Sequence, residues 1–313
     1  MNVFKAKAFI YRFARPIDIM RYRVLFESGR KEEVTKILET YQNPDGGFGH
    51  GLESDYWNPF SSPIQTWTAL EILRELDFFE TKHPMIEKVL DYLRSLKDFS
   101  MTHLQWQNTI PTNNDYPHAI WWHYDEKTSP YEYNPTAYLA GFVIRFETPG
   151  TPFYQLAETI VKQAYQYFLS HPTLGYHSLI CYVRLQEFLR DAGRLDLVPL
   201  DVFEQQLKQR VNESICHDTS KWDREYVVLP SHYIQHRTSI YLLGNETILN
   251  TELESLGWRQ REDGGFSIPW EWGTNYPEFD IVKRHWEAIK TIQNLSFYRA
   301  FTKQEGDHSN SSR

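Results

Sequence analysis

Four stretches of this chain mix carboxylates, imidazoles and aromatic rings in the way that proton-transferring sites do. Residues 43–62 carry Glu53, Asp55 and Trp57, and residues 107–134 carry Asp115, His118, Trp121, Trp122 and Asp125. Residues 217–231 carry Trp222, Asp223 and Glu225, and residues 258–279 carry Trp270, Trp272 and Tyr276. A carboxyl group shielded from water can give or take a proton at a reacting atom, and a second acid or an imidazole completes the exchange. Asp55 and Asp223 are the first choices for that work, with Glu53 or His118 as helper. Asp115, Asp125 and Glu225 are further acid–base candidates. Trp57, Trp121, Trp122, Trp270, Trp272 and Tyr276 are candidates for touching a substrate. Their ring faces can stabilise a cationic centre, and the same flat surfaces can stack on a sugar or a lipid. Seven of the ten Trp residues fall in these stretches or at their edges, although loops are usually polar. The competing explanation is that large rings simply fill a core.

The elements that must position these residues read as helices. Apolar residues recur at three- and four-residue spacing in Val34, Ile37, Leu38 and Tyr41, in Ile64, Trp67, Leu70 and Leu73, and in Ile86, Val89, Leu90 and Leu93. The same period predicts helices near 136–146, 152–169, 177–190, 200–212, 232–243, 247–258 and 280–300, and an amphipathic helix between Met1 and Pro16. Pro63, Pro84, Pro135, Pro152, Pro172 and Pro199 stand near the starts of these stretches, where a missing N–H costs nothing. No stretch alternates as a strand would. The polar tail 304–313 reads as disordered, and the remainder, 1–303, as one domain.

Two segments repeat. Leu38, Gln42, Asp45, Gly46, Gly47 and Phe48 follow the pattern L-x3-Q-x2-D-G-G-F, and Leu256, Gln260, Asp263, Gly264, Gly265 and Phe266 follow it again. The copies lie 218 residues apart, which is five steps of about 44 residues, a spacing common in helix-hairpin repeats. Weaker copies surround Pro117–Trp122 with Asn134–Leu139, and Leu174–His177, and Trp222–Tyr226. The residue types argue for scaffold: a Gln for the free carbonyls of its helix's last turn, an Asp for the N–H groups of the turn, glycines for positive φ, and a ring to plug the joint.

The motif resembles the QW repeat of squalene and hopene cyclases and the related repeat of protein prenyltransferase β subunits, with Phe in the place of Trp. The resemblance spans about residues 31–300. It implies an all-α fold, an α/α toroid of five or six helical hairpins, with one central cavity on which the four stretches converge. It also implies a small-molecule ligand of the isoprenoid class. The D-x-D-D acid motif of the cyclases is absent, and so is the zinc-ligand spacing of the prenyltransferases. Three other readings fit an α/α toroid. One is a carbohydrate-active hydrolase or lyase, in which two carboxylates flank the scissile bond and Trp rings carry the oligosaccharide. Another is a zinc site like that of lanthionine-forming cyclases, for which Cys181, Cys216 and His217 are the residues of the right type. The last is a toroid that binds a ligand or partner without catalysis. No cofactor is implied by any other motif: the phosphate loop, the dinucleotide-binding glycine pattern, H-E-x-x-H and G-x-S-x-G do not occur.

Composition sets the outer bounds. A formal charge of −8 argues against nucleic acid as a partner. The chain has no long uncharged apolar run, which argues against a membrane span. Two cysteines make no disulfide framework, and Met1–Pro16 lacks the unbroken apolar stretch of a signal peptide, so a cytoplasmic protein is expected.

Overall fold

The computed structural model describes residues 1–79, 83–127 and 132–302; the tail 304–313 lies outside them. The described chain is almost wholly helical. Helix α1 (Val3–Phe13) begins where the Asn2 side chain accepts the Lys5 N–H at 3.0 Å, and it gives way to α2 (Pro16–Phe26) at a proline. Then follow α3 (Lys31–Leu38), α4 (Pro63–Glu75) and α5 (Pro84–Arg94). A two-residue antiparallel pair, β1 (Phe99–Ser100) with β2 (Gln105–Trp106), leads through two 3-10 turns to α6 (Thr136–Phe146). The rest are α7 (Pro152–Ser170), α8 (Tyr176–Asp191), α9 (Leu200–Ser214), α10 (Glu246–Arg259) and α11 (Phe279–Thr302). Proline opens α2, α4, α5 and α7, as its fixed φ favours.

One expected helix is missing. Residues 232–243 form successive turns after a 3-10 turn at Pro230–His232, not a helix. Apolar spacing there is helical, but Arg237 spends its guanidinium on the terminal carbonyls of α11, donating from Nε to Ala300 at 3.1 Å. That satisfies groups which a helix end leaves bare and draws the segment into an open course.

Contacts divide the chain into two compact units. The first is Met1–Gly29, Val211–Trp270 and the chain from Asp280; the second is Arg30–Arg210 with Glu271–Phe279. The one-domain expectation for 1–303 meets this division. In the second unit α6 packs on α7 and α8, and Phe142, Phe146, Phe188 and Tyr138 meet ring to ring. Each such ring, buried, contributes roughly 1.5–3 kcal/mol. Gly141 permits the close approach of α6 to α8, since a Cβ there would lie 3.1 Å from Leu185 and Phe188.

Each unit contains one copy of the Q-x2-D-G-G-F turn, and the two are built alike. In the second unit the Gln42 amide donates to the Gly46 carbonyl at 2.9 Å and to that of Met85, in α5, at 3.2 Å. In the first unit Gln260 donates to Gly264 at 2.9 Å and to Asn2, the cap of α1, at 3.0 Å. Asp45 accepts the Gly47 N–H and Asp263 accepts the Gly265 N–H, both at 3.1 Å. Gly46 and Gly264 have φ of +91° and +94°, and a Cβ on either would run into a carbonyl oxygen, of Lys88 in α5 or Lys5 in α1. Phe48 and Phe266 are fully buried. The Asp and Gly roles follow the sequence reading. The Gln role differs: each amide bonds one carbonyl of its own turn and one at the start of a second helix, α5 or α1.

Candidate active site

The second unit gathers most of the chemistry-bearing residues around a short backbone pairing. Trp57 donates its N–H to the Pro117 carbonyl and Ala119 donates to that of Asp55, both at 3.0 Å. These bonds make Tyr56 and His118 a directly opposed antiparallel pair, in which side chains lie close together on one face. A third segment joins: Ile120 donates its N–H to the Trp272 carbonyl at 2.8 Å, and the Thr274 hydroxyl donates to the His118 carbonyl at 3.1 Å. Residues 43–62, 107–134 and 271–279 thus meet within one unit.

Asp55 is the centre of this arrangement. Only 4 % of its surface is exposed, and its Oδ1 accepts the indole N–H of the fully buried Trp272 at 2.6 Å. Glu53, also buried, accepts a hydroxyl bond from Thr68 on α4 at 3.3 Å. His118 is 3 % exposed, and its Nδ1 lies 2.6 Å from the Tyr116 carbonyl. A carbonyl only accepts, so Nδ1 carries a proton and the lone pair of the neutral ring sits on Nε2. That Nε2 is 3.4 Å from Nδ1 of His123, and the two imidazoles stack at 5.6 Å. Tyr276 lies against the His118 ring, also at 5.6 Å.

The pairing is braced by groups that sequence reasoning missed. Tyr56 is fully buried and stacks on Trp122 at 5.9 Å, and its burial pushes the phenol well above the ordinary range. Asn58 donates to Thr112 at 2.8 Å and Asn113 at 3.2 Å, and Asn113 donates to the Trp122 carbonyl at 2.8 Å. No motif distinguishes these amides from surface asparagines; only their burial reveals them.

Other candidates stand apart. Asp115 is exposed at the end of a 3-10 turn (Pro111–Asp115), and exposed Asp125 accepts the Lys127 N–H at 2.9 Å. Trp57 is half-buried with its indole on the Ser54 carbonyl, Trp122 is half-buried, and Trp121 is 43 % exposed.

Asp223, Glu225 and Trp270 belong to the first unit. Asp223, at φ +63°, is gripped by the Arg259 guanidinium, with Nη2 at 2.8 Å, and by Lys290 Nζ at 2.9 Å. Burial opposes its ionisation, but the two cations prevail and hold the carboxyl below its ordinary range. A carboxylate so clamped is an ion-pair partner and a poor proton donor. Beside it, burial pushes the Glu252 carboxyl up despite two bonds from Ser231, and burial draws Lys290 down. Glu225 is exposed and faces Lys221 at 3.6 Å. Trp270 sits edge-on between Tyr226 and Trp286.

The zinc expectation finds no ligand set. Among the described residues no group of three His, Cys, Asp or Glu side chains is placed to hold a metal ion. Cys181 is buried in α8 beside Asn134, and burial pushes its thiol far up. Among the described residues no helix is long and apolar enough to cross a membrane.

No family model matches the chain, and neither does any curated protein or solved structure.

Proposed function

We propose that the chain is an enzyme of the α/α-toroid, terpenoid-cyclase-like type, which moves a proton on an unsaturated isoprenoid with Asp55 as the reacting acid. The observation that carries this reading is the Asp55 carboxyl, 4 % exposed and bonded to the indole N–H of the fully buried Trp272. Proton transfer from Asp55 to an alkene carbon forms the C–H bond from the π pair and leaves a cation on the adjacent carbon. Aromatic faces stabilise that charge. A second alkene closes the ring, and the proton lost at the end returns to the Asp55 carboxylate, which restores the acid. Support for the toroid comes from the two motif turns. Each bonds to the start of a second helix, α5 at the first turn and α1 at the second, so the two turns are docked alike.

The test is incubation with linear polyprenols, prenyl diphosphates and their hydrocarbons, with products resolved by gas chromatography and mass spectrometry. Cyclised or isomerised products from the native chain, lost in Asp55→Asn, support the reading. A carbohydrate-active hydrolase or lyase is the second reading, favoured by two buried carboxylates two residues apart, Glu53 and Asp55. Turnover of oligosaccharides with none of isoprenoids would establish it instead. Binding of either class without turnover would make the chain a binding protein.

A further inference from the structure

Both ring nitrogens of His118 are engaged. Nδ1 donates to the Tyr116 carbonyl at 2.6 Å, and Nε2, with the lone pair of the neutral ring, faces Nδ1 of His123 at 3.4 Å. Two lone pairs do not attract, so His123 carries a proton on Nδ1 and donates it. The 5.6 Å between ring centroids is close to that N···N distance plus a ring radius at each end, so the two nitrogens lie between the rings. Water reaches the two rings unequally. His118 is 3 % exposed, with Tyr276 against its ring and the Thr274 hydroxyl on its carbonyl. His123 is exposed and directly follows the 3-10 turn Ile120–Trp122.

We infer that the His123 imidazole is a pH-sensitive gate over the basic nitrogen of His118. While the gate is closed, His118 offers no ring nitrogen to a substrate, whichever substrate the site takes. The facing nitrogens have room for one proton between them and not for two. The neutral pair holds one there, and so does the pair with a single positive charge, whose added proton takes Nε2 of His123. A second charge would set the N–H groups of two cations face to face, where they repel. Burial and the carbonyl bond hold His118, so the exposed His123 ring swings out and leaves the His118 Nε2–H uncovered. Below the ordinary histidine range both rings are charged and the gate stands open. The segments packed against the pair bring Asp55 and Tyr56 from residues 43–62 and Tyr276 and Glu278 from residues 271–279, and Asp125 follows on the pair's own loop.

The test uses the full chain with 15N-labelled histidine and nuclear magnetic resonance. Near neutral pH both rings should carry a proton on Nδ1, and His118 Nε2 should couple to His123 Nδ1 across the hydrogen bond. In acid, once both rings are charged, that coupling should vanish, and it should return when the pH is restored. Chemical modification gives a second reading at fixed pH. Diethyl pyrocarbonate attacks an imidazole lone pair that it can reach, so near neutral pH its initial rate at His118, read by peptide mapping, should be about tenfold higher in His123→Ala than in the native chain. A neutral His118 with its proton on Nε2, the absence of coupling near neutral pH, coupling that persists in acid, or equal modification rates in the two chains overturns the inference. The native-chain spectra answer even if the variant does not fold.

Discussion

Asp55 and Asp223 carry the same side chain in different settings. Asp55 is almost wholly buried and accepts the Trp272 indole N–H, whereas Asp223 is held by two cations. Their asparagine variants should therefore fail differently. Asp223→Asn leaves the Arg259 side chain, 1 % exposed, without its counter-charge, and should cost about 3–5 kcal/mol. Urea denaturation would read that as a lower midpoint with an unchanged slope. Asp55→Asn should abolish turnover while moving the melting temperature by no more than a few degrees. Acid should expose the ion-paired carboxylates. Asp18 is fully buried, and despite that burial Arg15 and Arg21, both at 2.7 Å, hold its carboxyl below the ordinary range. A carboxyl whose folded pKa is depressed contributes stability that is complete above its unfolded value, near 4, and lost as pH falls through the folded value. Thermal stability should fall below about pH 4, and less steeply in Asp18→Asn, as scanning calorimetry would show. The residue types were legible in the sequence. Their partners were not: nothing local tells that Asp223 will meet Arg259 36 residues away and Lys290 67 residues away.

Among the elements, the two D-G-G turns make the sharpest test. Gly46 and Gly264 combine a left-handed φ with a neighbouring carbonyl where a Cβ would stand. Gly46→Ala and Gly264→Ala should each cost more than the roughly 1 kcal/mol of an ordinary strained turn, and about 2–4 kcal/mol once the docked helix is displaced. Hydrogen exchange should show lost protection in α5 for the first variant and in α1 for the second. Most helices were readable because period and proline punctuation act locally: α4, α5, α7 and α10 fall within a residue or two of expectation. Residues 232–243 were not, because Arg237 answers to the end of α11 and not to its own neighbours.

Across the whole molecule, α1 does at the second motif what α5 does at the first. Ala6, Phe9 and Ile10 are buried, and Gly265 lies under the Phe9 ring. Removal of residues 1–14 should therefore unfold the first unit cooperatively, not merely shorten it. Circular dichroism should show a loss of helix larger than α1 alone supplies, with exchange protection gone from α10 and α11. Retention of the remaining helix would reduce α1 to an appendage.

The sequence by itself determined the all-helical character, the glycine turns and the pool of acids and rings, because each depends on neighbours within one or two turns of chain. It pointed to four stretches converging on one site, of which 43–62, 107–134 and the end of 258–279 meet within the second unit. Only the tertiary structure decided which acid is clamped by two cations, and that Trp272 reaches back 217 residues to Asp55. The reason is physical. A carboxyl group's chemistry is set by burial and by the charges within a few ångströms, and those neighbours come from segments whose separation along the chain carries no local signal.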